Sequence, residues 1–441
     1  MEKINVGLIG FGTVGTGVVK ILKDNAGVLR DKLGCEVILK KVADRDTKRD
    51  RGVELEKGVL VSDASEILND PEISIVIELI GGTTAAKDIT LEALKKGKHV
   101  ATANKALLST HAREIFEAAA KGGLNIGFEA SVAGGIPIIK ALREGLAANR
   151  IESMYGIING TANYILTKMS KEGGKFEGVL AQAQKKGYAE ADPAYDVDGI
   201  DTAHKLAILI DLAYGTFVSL DDIYTEGISN ITEIDIKFAE EFGYVIKLLA
   251  IAKAPGGVEG GIEARVHPTM IPLDHPLASV DGVFNAVHLK GDAVGSTMFY
   301  GMGAGMMPTA SAVVADVVDI CRDILKGCPG RLSPLGHTEG AVKDVEIKGM
   351  DELEMSYYLR FSAMDRPGVL STISGVLGSH NISISSVIQK GRQAGGAVPL
   401  VIITHNAVER ELRSAIKDIE KLDVIKDEVR FIRIEEGPDA A

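Results

Sequence analysis

The sequence has few cysteines, no surplus of basic residues and no long apolar run, and each absence excludes a class of protein. The three cysteines, Cys35, Cys321 and Cys328, have none of the spacings typical of metal sites or redox pairs. The formal net charge of −12 and the lack of a basic stripe argue against a nucleic-acid partner. No apolar stretch is long enough to span a membrane, and the first ten residues lack the pattern of a signal peptide. We therefore expect a cytoplasmic protein without disulfides, bound neither to nucleic acid nor to a membrane.

The 441 residues are enough for two or three domains, and the first begins with a dinucleotide-binding pattern. An apolar strand, Ile4 to Ile9, runs into a glycine-rich turn and then into a helix predicted from about Thr13 to Leu29. The turn reads Gly10-Phe11-Gly12-Thr13-Val14-Gly15. In this context the first glycine makes the turn, the second admits a pyrophosphate and the third packs helix on strand. The alternative is a glycine-rich turn that binds no cofactor.

The second predicted strand, Val37 to Ala43, ends where NAD and NADP are distinguished. An acid at the position of Asp44 would meet the ribose hydroxyls of NAD, whereas Arg45, with Lys48 and Arg49 nearby, could accommodate the 2′-phosphate of NADP. The two signals conflict. We favour NADP and keep NAD open.

Strands and helices continue to alternate up to about residue 130, which predicts a doubly wound parallel sheet. Two predicted strands, 73–80 and 99–102, are followed by Gly81-Gly82-Thr83-Thr84 and by Ala103-Asn104-Lys105. Ligands of such folds bind at the carboxyl ends of the strands, so we expect Thr83 and Lys105 at the cofactor crevice. The alternative for Lys105 is a surface position in a loop.

The stretch from Gly187 to Lys205 carries the strongest candidate for chemistry. Apolar periodicity predicts a helix from near Asp198 to residue 213, on which Asp201 and Lys205 share one face. A carboxylate beside a lysine at a buried helix start can hold an ammonium group and tune an acid or base. The alternative is an ordinary surface pair, because the helix dipole also favours acids at a helix start. The stretch holds five acids in all, Glu190, Asp192, Asp196, Asp198 and Asp201.

The segment from 244 to 325 predicts a second sheet and a closing helix. Strand-like runs at 244–253, 261–267, 283–289 and 296–300 indicate a mixed or antiparallel sheet that could form a dimer face. The glycines from Gly301 to Gly305 form either a flexible turn or a loop that closes over the cofactor. We expect a helix from Thr309 to Leu325 to pack back on the first domain. Three histidines have no ligand spacing and are expected to be structural, namely His267, His275 and His288.

Five motifs taken together resemble those of homoserine dehydrogenases. They are the glycine-rich turn at 10–15, Ala-Thr-Ala-Asn-Lys-Ala at 101–106, Glu-Ala-Ser-Val-Ala-Gly-Gly-Ile-Pro at 129–137, Asn-Gly-Thr-Ala-Asn-Tyr at 159–164 and the stretch 187–205. The resemblance covers residues 1 to about 330. It implies NAD(P)-dependent interconversion of L-homoserine and L-aspartate 4-semialdehyde, in the biosynthesis of threonine, methionine and isoleucine. We expect a homodimer or a homotetramer.

The resemblance implies roles for particular residues. It implies that Lys205 is the acid/base, that Lys105 also lines the site, and that Glu190 and Asp201 hold the amino-acid substrate. It implies that two glycines lie near the nucleotide, Gly187 and Gly303. It further implies a monovalent metal cation, commonly sodium, held by the Glu129 side chain and by the backbone carbonyls of Val132, Gly134 and Ile136.

The implied chemistry suits these residue types. Oxidising an alcohol requires hydride transfer to the nicotinamide and removal of the hydroxyl proton, and a lysine can take that proton if burial or a nearby cation such as Lys105 lowers its pKa. No thiol is needed, in contrast to oxidation of the semialdehyde to an acyl phosphate. Two alternatives remain open: an amino-acid dehydrogenase that releases ammonia, and a non-enzymatic amino-acid sensor. We expect no aspartate kinase domain ahead of Met1.

The C-terminal segment resembles an ACT domain. After a predicted linker at 326–350, the pattern is strand, helix, strand, strand, helix, strand, with Asp365-Arg-Pro-Gly-Val-Leu opening the first helix. The resemblance implies regulation by a small amino acid, by hypothesis L-threonine, bound near Asp365, Gly368 and Asn381. The alternative is a dimerising appendage without a ligand.

The whole chain is therefore predicted to be an α/β protein of three parts. We expect a Rossmann-type doubly wound parallel sheet at 1–130, an α+β catalytic and dimerisation domain at 131–308, and a βαββαβ ACT domain at 351–441.

Overall fold

A six-stranded parallel sheet forms the first part of the chain. The computed structural model describes residues 2–391 and 396–437, so two short stretches of the predicted tail domain lie outside the described residues. The strands are β1 (Lys3–Ile9), β2 (Glu36–Ala43), β3 (Leu60–Val61), β4 (Ile73–Glu78), β5 (His99–Thr102) and β6 (Ile126–Gly127). Their spatial order is β3-β2-β1-β4-β5-β6, which reverses between β1 and β4. Doubly wound sheets bind their ligands at such a reversal.

Helices cover both faces of this sheet. They are α1 (Thr13–Asp24), α2 (Ala26–Leu33), α3 (Ser65–Leu68), α4 (Thr84–Lys95) and α5 (Lys105–Gly122). Successive residues of β4 face opposite sides, with Ile75 and Ile77 packed among residues of α1 and Val76 packed among residues of α5. The single helix predicted over 13–29 is wrong in extent, because Asn25 has a non-helical backbone and separates α1 from α2.

The second part of the chain contains a mixed sheet and the helices around the candidate site. Its helices are α6 (Ile138–Lys140), α7 (Gly160–Glu172), α8 (Phe176–Lys185), α9 (Ala194–Val197), α10 (Ile200–Tyr214) and α11 (Glu233–Glu241). Its strands are β7 (Ile151–Ile157), β8 (Tyr224–Thr225), β9 (Tyr244–Lys253), β10 (Glu263–Pro272), β11 (Phe284–Gly291) and β12 (Gly295–Met302). The helix predicted from near Asp198 begins at Ile200 instead, because Gly199 is left-handed at φ 83°.

Helix α12 (Met306–Leu325) returns to the first part of the chain. It lies so close to α1 that a Cβ on Gly17 would be 2.7 Å from the carbonyl oxygen of Met306. Pro308 stands in its first turn, where the missing N–H of proline costs no helical hydrogen bond. The helix therefore starts three residues earlier than Thr309, where we predicted it.

The tail has the predicted βαββαβ order with one short strand added. Its elements are β13 (Glu354–Met364), α13 (Val369–Ser379), β14 (Ile384–Gln389), β15 (Ala397–Thr404), the added β16 (Ala407–Val408), α14 (Glu409–Glu420) and β17 (Arg430–Ile434). The sheet of the tail is not separate, because β17 pairs in parallel with β10 at Thr269–Arg433 and Met270–Ile434. One sheet of eleven strands therefore runs through both parts, in the order β12-β11-β7-β9-β10-β17-β13-β15-β14, with β8 and β16 beside it.

The segment predicted as a linker packs along the second part of the chain. Leu335 is buried, and His337 Nε2 lies 3.0 Å from the carbonyl oxygen of Leu212 on α10. The Lys343 N–H donates to Gly215 O at 3.1 Å. This connection is thus held against the body of the protein.

The structure also bears on the predicted lack of disulfides and of membrane-spanning segments. All three cysteines are free, and burial raises the pKa of the Cys321 thiol to about 12, which makes it a poor nucleophile. Within the described ranges, no helix combines the length and apolarity needed to cross a bilayer.

Candidate active site

The glycine-rich turn after β1 borders a cleft of about 740 Å³ at the carboxyl ends of the strands. Gly10 is left-handed at φ 101°, and a Cβ there would lie 2.5 Å from Leu79 O. A Cβ on Gly15 would lie 2.2 Å from Gly10 O, so α1 needs glycine to approach the turn. At Gly12 the space around a Cβ is open to 4 Å. These residues leave room for a pyrophosphate at the N-terminus of α1.

Phe11 connects this turn to the end of β2. Its N–H donates to Asp44 Oδ2 at 2.7 Å, and the Asp46 N–H donates to Asp44 Oδ1 at 2.8 Å. Arg51 lies 3.0 Å from Asp44 Oδ1 and donates to Phe11 O at 2.5 Å. Both oxygens of the predicted ribose ligand are thus in use, whereas Arg45 is exposed at the cleft. Nothing in the sequence pattern singled out Arg51.

A chain of hydrogen bonds fixes the backbone before Lys105. Glu78 accepts from Thr102 Oγ1 at 2.7 Å, and Thr102 Oγ1 accepts from the Asn104 N–H at 3.0 Å. Asn104 caps α5 and donates through Nδ2 to Gly82 O at 2.7 Å. Lys105 therefore begins α5 next to the wall of the cleft.

Lys105 and Lys205 meet at one carboxylate, that of Asp201. Their Nζ atoms lie 3.0 Å from Asp201 Oδ1 and 2.7 Å from Oδ2, respectively. Lys205 Nζ also donates to Ile158 O at 2.7 Å, just after β7. Asp201 and Lys205 are not a surface pair, because their side chains are only 6% and 13% exposed.

The two lysines determine the charge of Asp201. Burial opposes its ionisation, but the nearby Lys205 and Lys105 outweigh burial and lower the pKa of Asp201 to about 2. Burial likewise favours neutral Lys105, and the Asp201 carboxylate outweighs this effect and raises the pKa of Lys105. At neutral pH an ionised Asp201 therefore lies between the two lysines.

Asn159 is a site residue to which we assigned no role from the sequence. Its Nδ2 donates to Asp201 Oδ2 at 2.8 Å and to Asp196 Oδ1 at 2.7 Å. Its Oδ1 accepts from the Ala162 N–H at 2.8 Å and caps α7. An asparagine directly before a predicted helix is a capping signal, so the sequence could have predicted that Asn159 caps α7.

Tyr195 and His204 lie beside the lysines. The Tyr195 ring centroid is 5.6 Å from Lys105 Nζ and 5.6 Å from the His204 ring centroid. His204 Nδ1 and Ser109 Oγ are 2.5 Å apart, which connects α10 to α5. Burial lowers the pKa of His204, so its imidazole is neutral at pH 7.

Glu190 is not brought into this cluster. It is exposed, and among the described contacts its carboxylate has no hydrogen bond or ion pair with Lys105, Lys205 or Asp201. Its loop nevertheless passes the start of α7, because Thr161 Oγ1 donates to Tyr188 O at 2.6 Å.

The segment predicted to bind a cation begins with a buried carboxylate. Glu129 Oε1 and Oε2 accept from the N–H groups of Ile139 and Lys140, each at 2.9 Å. Burial raises the pKa of Glu129 to about 6. Ala133 and Gly134 are both left-handed, at φ 54° and 53°, which is unusual for alanine. In the described part of the chain no three His, Cys, Asp or Glu side chains cluster as metal ligands, so a cation here would depend on backbone carbonyls.

Gly303 packs against this same segment. A Cβ on Gly134 would lie 2.4 Å from Gly303 O, and the Gly135 N–H donates to Met302 O at 3.1 Å. The other predicted carbonyl ligands flank the turn and are buried, namely Val132 and Ile136. The remaining predicted cofactor residues lie at the start of α1 (Thr13 and Val14), before α4 (Thr83) and after α8 (Gly187).

The predicted effector residues lie at opposite ends of α13. Asp365 and Gly368 precede the helix, and Asn381 follows it at φ 60°. Eleven helical residues span about 16 Å, so one chain does not bring all three around one small ligand.

Comparison with known proteins decides between the alternatives. The family model for homoserine dehydrogenase matches residues 137–318, and that for the homoserine dehydrogenase NAD-binding domain matches residues 10–129. The homoserine dehydrogenase of Neisseria gonorrhoeae is 47% identical over 435 residues, covering 99% of each chain. This chain belongs to the homoserine dehydrogenase family. The ACT domain model matches residues 357–424, which confirms the resemblance of the tail.

Solved structures of homoserine dehydrogenases share this fold. One from Thiobacillus denitrificans has a TM-score of 0.93 at 47% identity and covers 99% of each chain. A hyperthermophilic archaeal homoserine dehydrogenase in complex with NADPH has a TM-score of 0.61 at 26% identity, covering 74% of this chain and 98% of that one.

The family assignment confirms the predicted activity. A homoserine dehydrogenase is an NAD(P)-dependent oxidoreductase that interconverts L-homoserine and L-aspartate 4-semialdehyde. The ammonia-releasing dehydrogenase and the non-enzymatic sensor are therefore excluded.

Proposed function

We propose that Lys205 is the proton carrier of this homoserine dehydrogenase and that Asp201 holds it in place. The observation that carries the proposal is the shared carboxylate, with Lys205 Nζ 2.7 Å and Lys105 Nζ 3.0 Å from its two oxygens. An ammonium group has three N–H donors. Asp201 and Ile158 O take two of those of Lys205, which leaves one for the substrate oxygen.

This arrangement supports proton transfer in both directions. The bound nicotinamide supplies or accepts the hydride. As the semialdehyde is reduced, the Lys205 ammonium gives its third proton to the forming hydroxyl; as homoserine is oxidised, the neutral amine takes that proton back. Because Lys205 is fixed by two partners, its free N–H has a defined direction.

We assign the substrate ammonium group to Asp201 and Glu190. A carboxylate has about four acceptor positions, and Asp201 receives three donors, so Oδ1 has room for one more. Glu190 is exposed, and its loop lies next to α7, from which it can turn toward a bound substrate. Lys105 is half-buried and has two further N–H donors for substrate or cofactor.

We propose NADP as the preferred cofactor. Asp44 already receives three donors, from Phe11, Asp46 and Arg51, so about one acceptor position is left for the two hydroxyls of a ribose diol. Arg45 lies exposed at the same cleft, where it can bind a 2′-phosphate. The NADPH complex of the archaeal relative is consistent with this preference.

We propose a monovalent cation, commonly sodium in this family, at the segment 129–136. The left-handed pair at Ala133 and Gly134 turns successive backbone carbonyls, and hard cations prefer such oxygen ligands. A cation would also supply the counter-charge that the buried Glu129 carboxylate needs. The residues therefore fit the group, which would be held by Glu129 and by the carbonyls of Val132, Gly134 and Ile136.

We infer that the enzyme pairs with a second copy through β12. This strand is at one edge of the long sheet and exposes Met298, Tyr300 and Met302 on alternate positions. An exposed apolar edge strand readily pairs with another chain. A dimer, alone or within a tetramer, would cover this face.

We also propose that L-threonine regulates the enzyme through the ACT domain. Because Asp365 and Gly368 are separated from Asn381 by the length of α13, we expect two paired tail domains to build each effector site. Under this proposal the reaction belongs to the biosynthesis of threonine, methionine and isoleucine. The free cysteines support a cytoplasmic enzyme.

Spectrophotometric oxidation of L-homoserine tests the proposed cofactor and cation. Rates with NADP and with NAD would be compared in sodium, in potassium and in a bulky organic cation at constant ionic strength. We expect faster turnover with NADP and loss of activity without a small monovalent cation. Equal rates in all three salts would remove the cation from the proposal and leave the proton carrier untouched.

A further inference from the structure

An ion pair between a buried arginine and a partly exposed glutamate joins the ACT domain to the second part of the chain. Arg433 on β17 is 1% exposed, and its Nη1 lies 2.7 Å from Glu226 Oε2. Its Nε and Nη2 also bind Glu409 at 3.0 and 2.6 Å. Tyr224 OH donates to Glu226 Oε2 at 2.9 Å. Glu226 is therefore held by a guanidinium that belongs to the tail.

The backbone around Glu226 leads directly to the start of α10. The Glu226 N–H donates to Val266 O at 2.8 Å on β10, and the Ile228 N–H donates to Val197 O at 2.8 Å. Between them, Gly227 lies so close to the chain before α10 that a Cβ there would be 2.4 Å from Val197 O. No side chain separates the two backbones, so a shift of one must displace the other.

Gly199, the residue just before α10, is packed in the same place. A Cβ on Gly199 would lie 3.1 Å from Val266 Cγ1 and 3.2 Å from Thr225 Cγ2. The first turns of α10 carry Asp201 and Lys205, whereas Lys105 is on α5 and Asn159 follows β7. The position of α10 thus sets the distances between groups on three separate elements.

The tail reaches Arg433 through its own sheet. Arg433 stands opposite Tyr357 in the antiparallel pairing of β17 with β13. Strand β13 then runs to Met364, next to Asp365 and the loop before α13. A displacement at that loop can therefore pass along two paired strands to Glu226.

We propose that Glu226 is a positioning residue, through which Arg433 of the ACT domain holds the start of α10 and thereby the proton-transfer groups. This inference rests on the roles proposed above for Asp201 and Lys205. Moving Arg433 would leave the partly exposed Glu226 carboxylate with Tyr224 OH as its remaining described partner, so its side chain would rearrange or be hydrated instead. Catalysis is sensitive to such movement, since a shift of about 1 Å can cost about 100-fold in rate.

The test compares two ion pairs that join the same parts of the protein. Asp235 on α11 binds Arg360 of β13, with Nε 2.5 Å from Oδ1, but its contacts lie away from Val197 and Gly199. Glu226→Gln and Asp235→Asn each weaken one pair in the full chain. We expect E226Q to lower kcat for L-homoserine at least about 10-fold with little change in NADPH binding, measured by fluorescence titration. We expect D235N to keep kcat within about twofold although it loses at least as much thermal stability as E226Q, because Asp235 is buried and accepts from both Tyr358 and Arg360.

A double-mutant cycle with Arg433→Gln completes the test. If the two residues act through one link, the kcat of the double variant is about that of the slower single variant. If they act independently, the two fold-losses in kcat multiply. The proposal is overturned if E226Q retains kcat within about twofold, or if D235N lowers kcat as much as E226Q does. Should E226Q fail to fold, Glu226→Asp gives the same readout, because it keeps the charge and only shortens the reach toward Arg433 Nη1.

Lys205→Ala, measured in parallel, separates this inference from the proposed function. If K205A has a low kcat and E226Q has a normal one, only the positioning role of Glu226 is refuted. Near-normal K205A removes the proton carrier, and with it the basis of the inference.

Discussion

At the scale of single residues, Lys205 differs from a surface lysine by its two fixed partners. We expect Lys205→Ala to lower turnover by about two to four orders of magnitude, the usual range for loss of a general acid or base. Cofactor binding should persist, because the glycine-rich turn and Arg45 lie on other elements. Steady-state kinetics and NADPH titration would measure the two effects separately.

Lys237→Ala is the matched control for that substitution. Lys237 also pairs with an acid four residues earlier, Glu233 at 2.7 Å, but on the exposed face of α11. Exposed pairs contribute little, so this variant should keep full turnover. If K205A were as active as K237A, Lys205 would not be the proton carrier.

Arg45 is the residue that we propose distinguishes NADP from NAD. Arg45→Ala should lower kcat/KM with NADP about 10- to 100-fold, the effect of losing hydrogen bonds to a charged phosphate. The value with NAD should change little, because NAD has no 2′-phosphate. Arg30→Ala, an exposed arginine on α2, serves as control. An equal loss with both cofactors would place Arg45 elsewhere than at the 2′-phosphate.

At the scale of elements, α10 holds two buried carboxylates in opposite charge states. Asp201 has two lysine partners, whereas Asp211 accepts one hydrogen bond, from Val218 N–H at 2.9 Å. Burial raises the pKa of Asp211 from 3.8 to about 8. The folded state therefore keeps the proton over a range in which the unfolded chain releases it. Its contribution to stability falls as pH rises from about 4 to about 8 and is constant above that range.

Asp211→Asn should remove this loss, because an amide stays neutral. We expect the variant to gain at least about 1 kcal/mol of stability over the wild type as pH rises from 4 to 8. Chemical unfolding at several pH values would measure the difference. Asp222→Asn, at an exposed acid, should show no such trend. A pH-independent difference for D211N would mean that Asp211 is ionised in the folded protein.

The exposed face of the edge strand β12 leads to a prediction about dimer formation. Tyr300 is 52% exposed on the face that we assign to the dimer. Tyr300→Lys should weaken association at least about 30-fold, since a central aromatic residue commonly contributes 2 kcal/mol or more. Sedimentation velocity would detect the change. Leu273→Lys, at an equally exposed apolar residue outside β12, should leave the assembly intact.

Local sequence patterns predicted the helices and strands, but they did not predict contacts between residues that are far apart in the sequence. The glycine-rich turn and the Asp201–Lys205 pair were found because their spacing is set by one turn or one helix. Arg51 was missed because its contact with Asp44 depends on how an irregular loop folds back. The link from Asn159 to Asp201 joins two elements 42 residues apart, and no periodicity records it. The left-handed Ala133 was equally invisible, because alanine rarely adopts that conformation.

At the scale of the whole molecule, the tail completes the sheet on which the site is built. A linker was predicted from the prolines and glycines after residue 328, and that pattern says nothing about pairing between β10 and β17. Since these strands pair, the ACT domain and the second part of the chain share hydrogen bonds as well as side-chain contacts. The regulation that we propose can therefore act by shifting β17 against β10, without a separate docking surface between the two parts.

This continuity makes truncation a poor test of regulation. A chain truncated after Gly330 loses Glu435, whose oxygens lie 2.6 Å from Lys253 Nζ and 2.5 Å from Arg265 Nη2. Arg265 is 1% exposed in the full chain, and removing one partner of such a buried pair costs about 3–5 kcal/mol.

We therefore expect the truncated chain to unfold at a clearly lower temperature and to lose activity whether or not threonine is present. Calorimetry and the homoserine assay would measure both, with Asp365→Ala and Asn381→Ala in the full chain as variants that change only the effector site proposed above. A truncated chain as stable and active as the full one would mean that the two parts fold independently, in which case the shared sheet has no role in positioning the site.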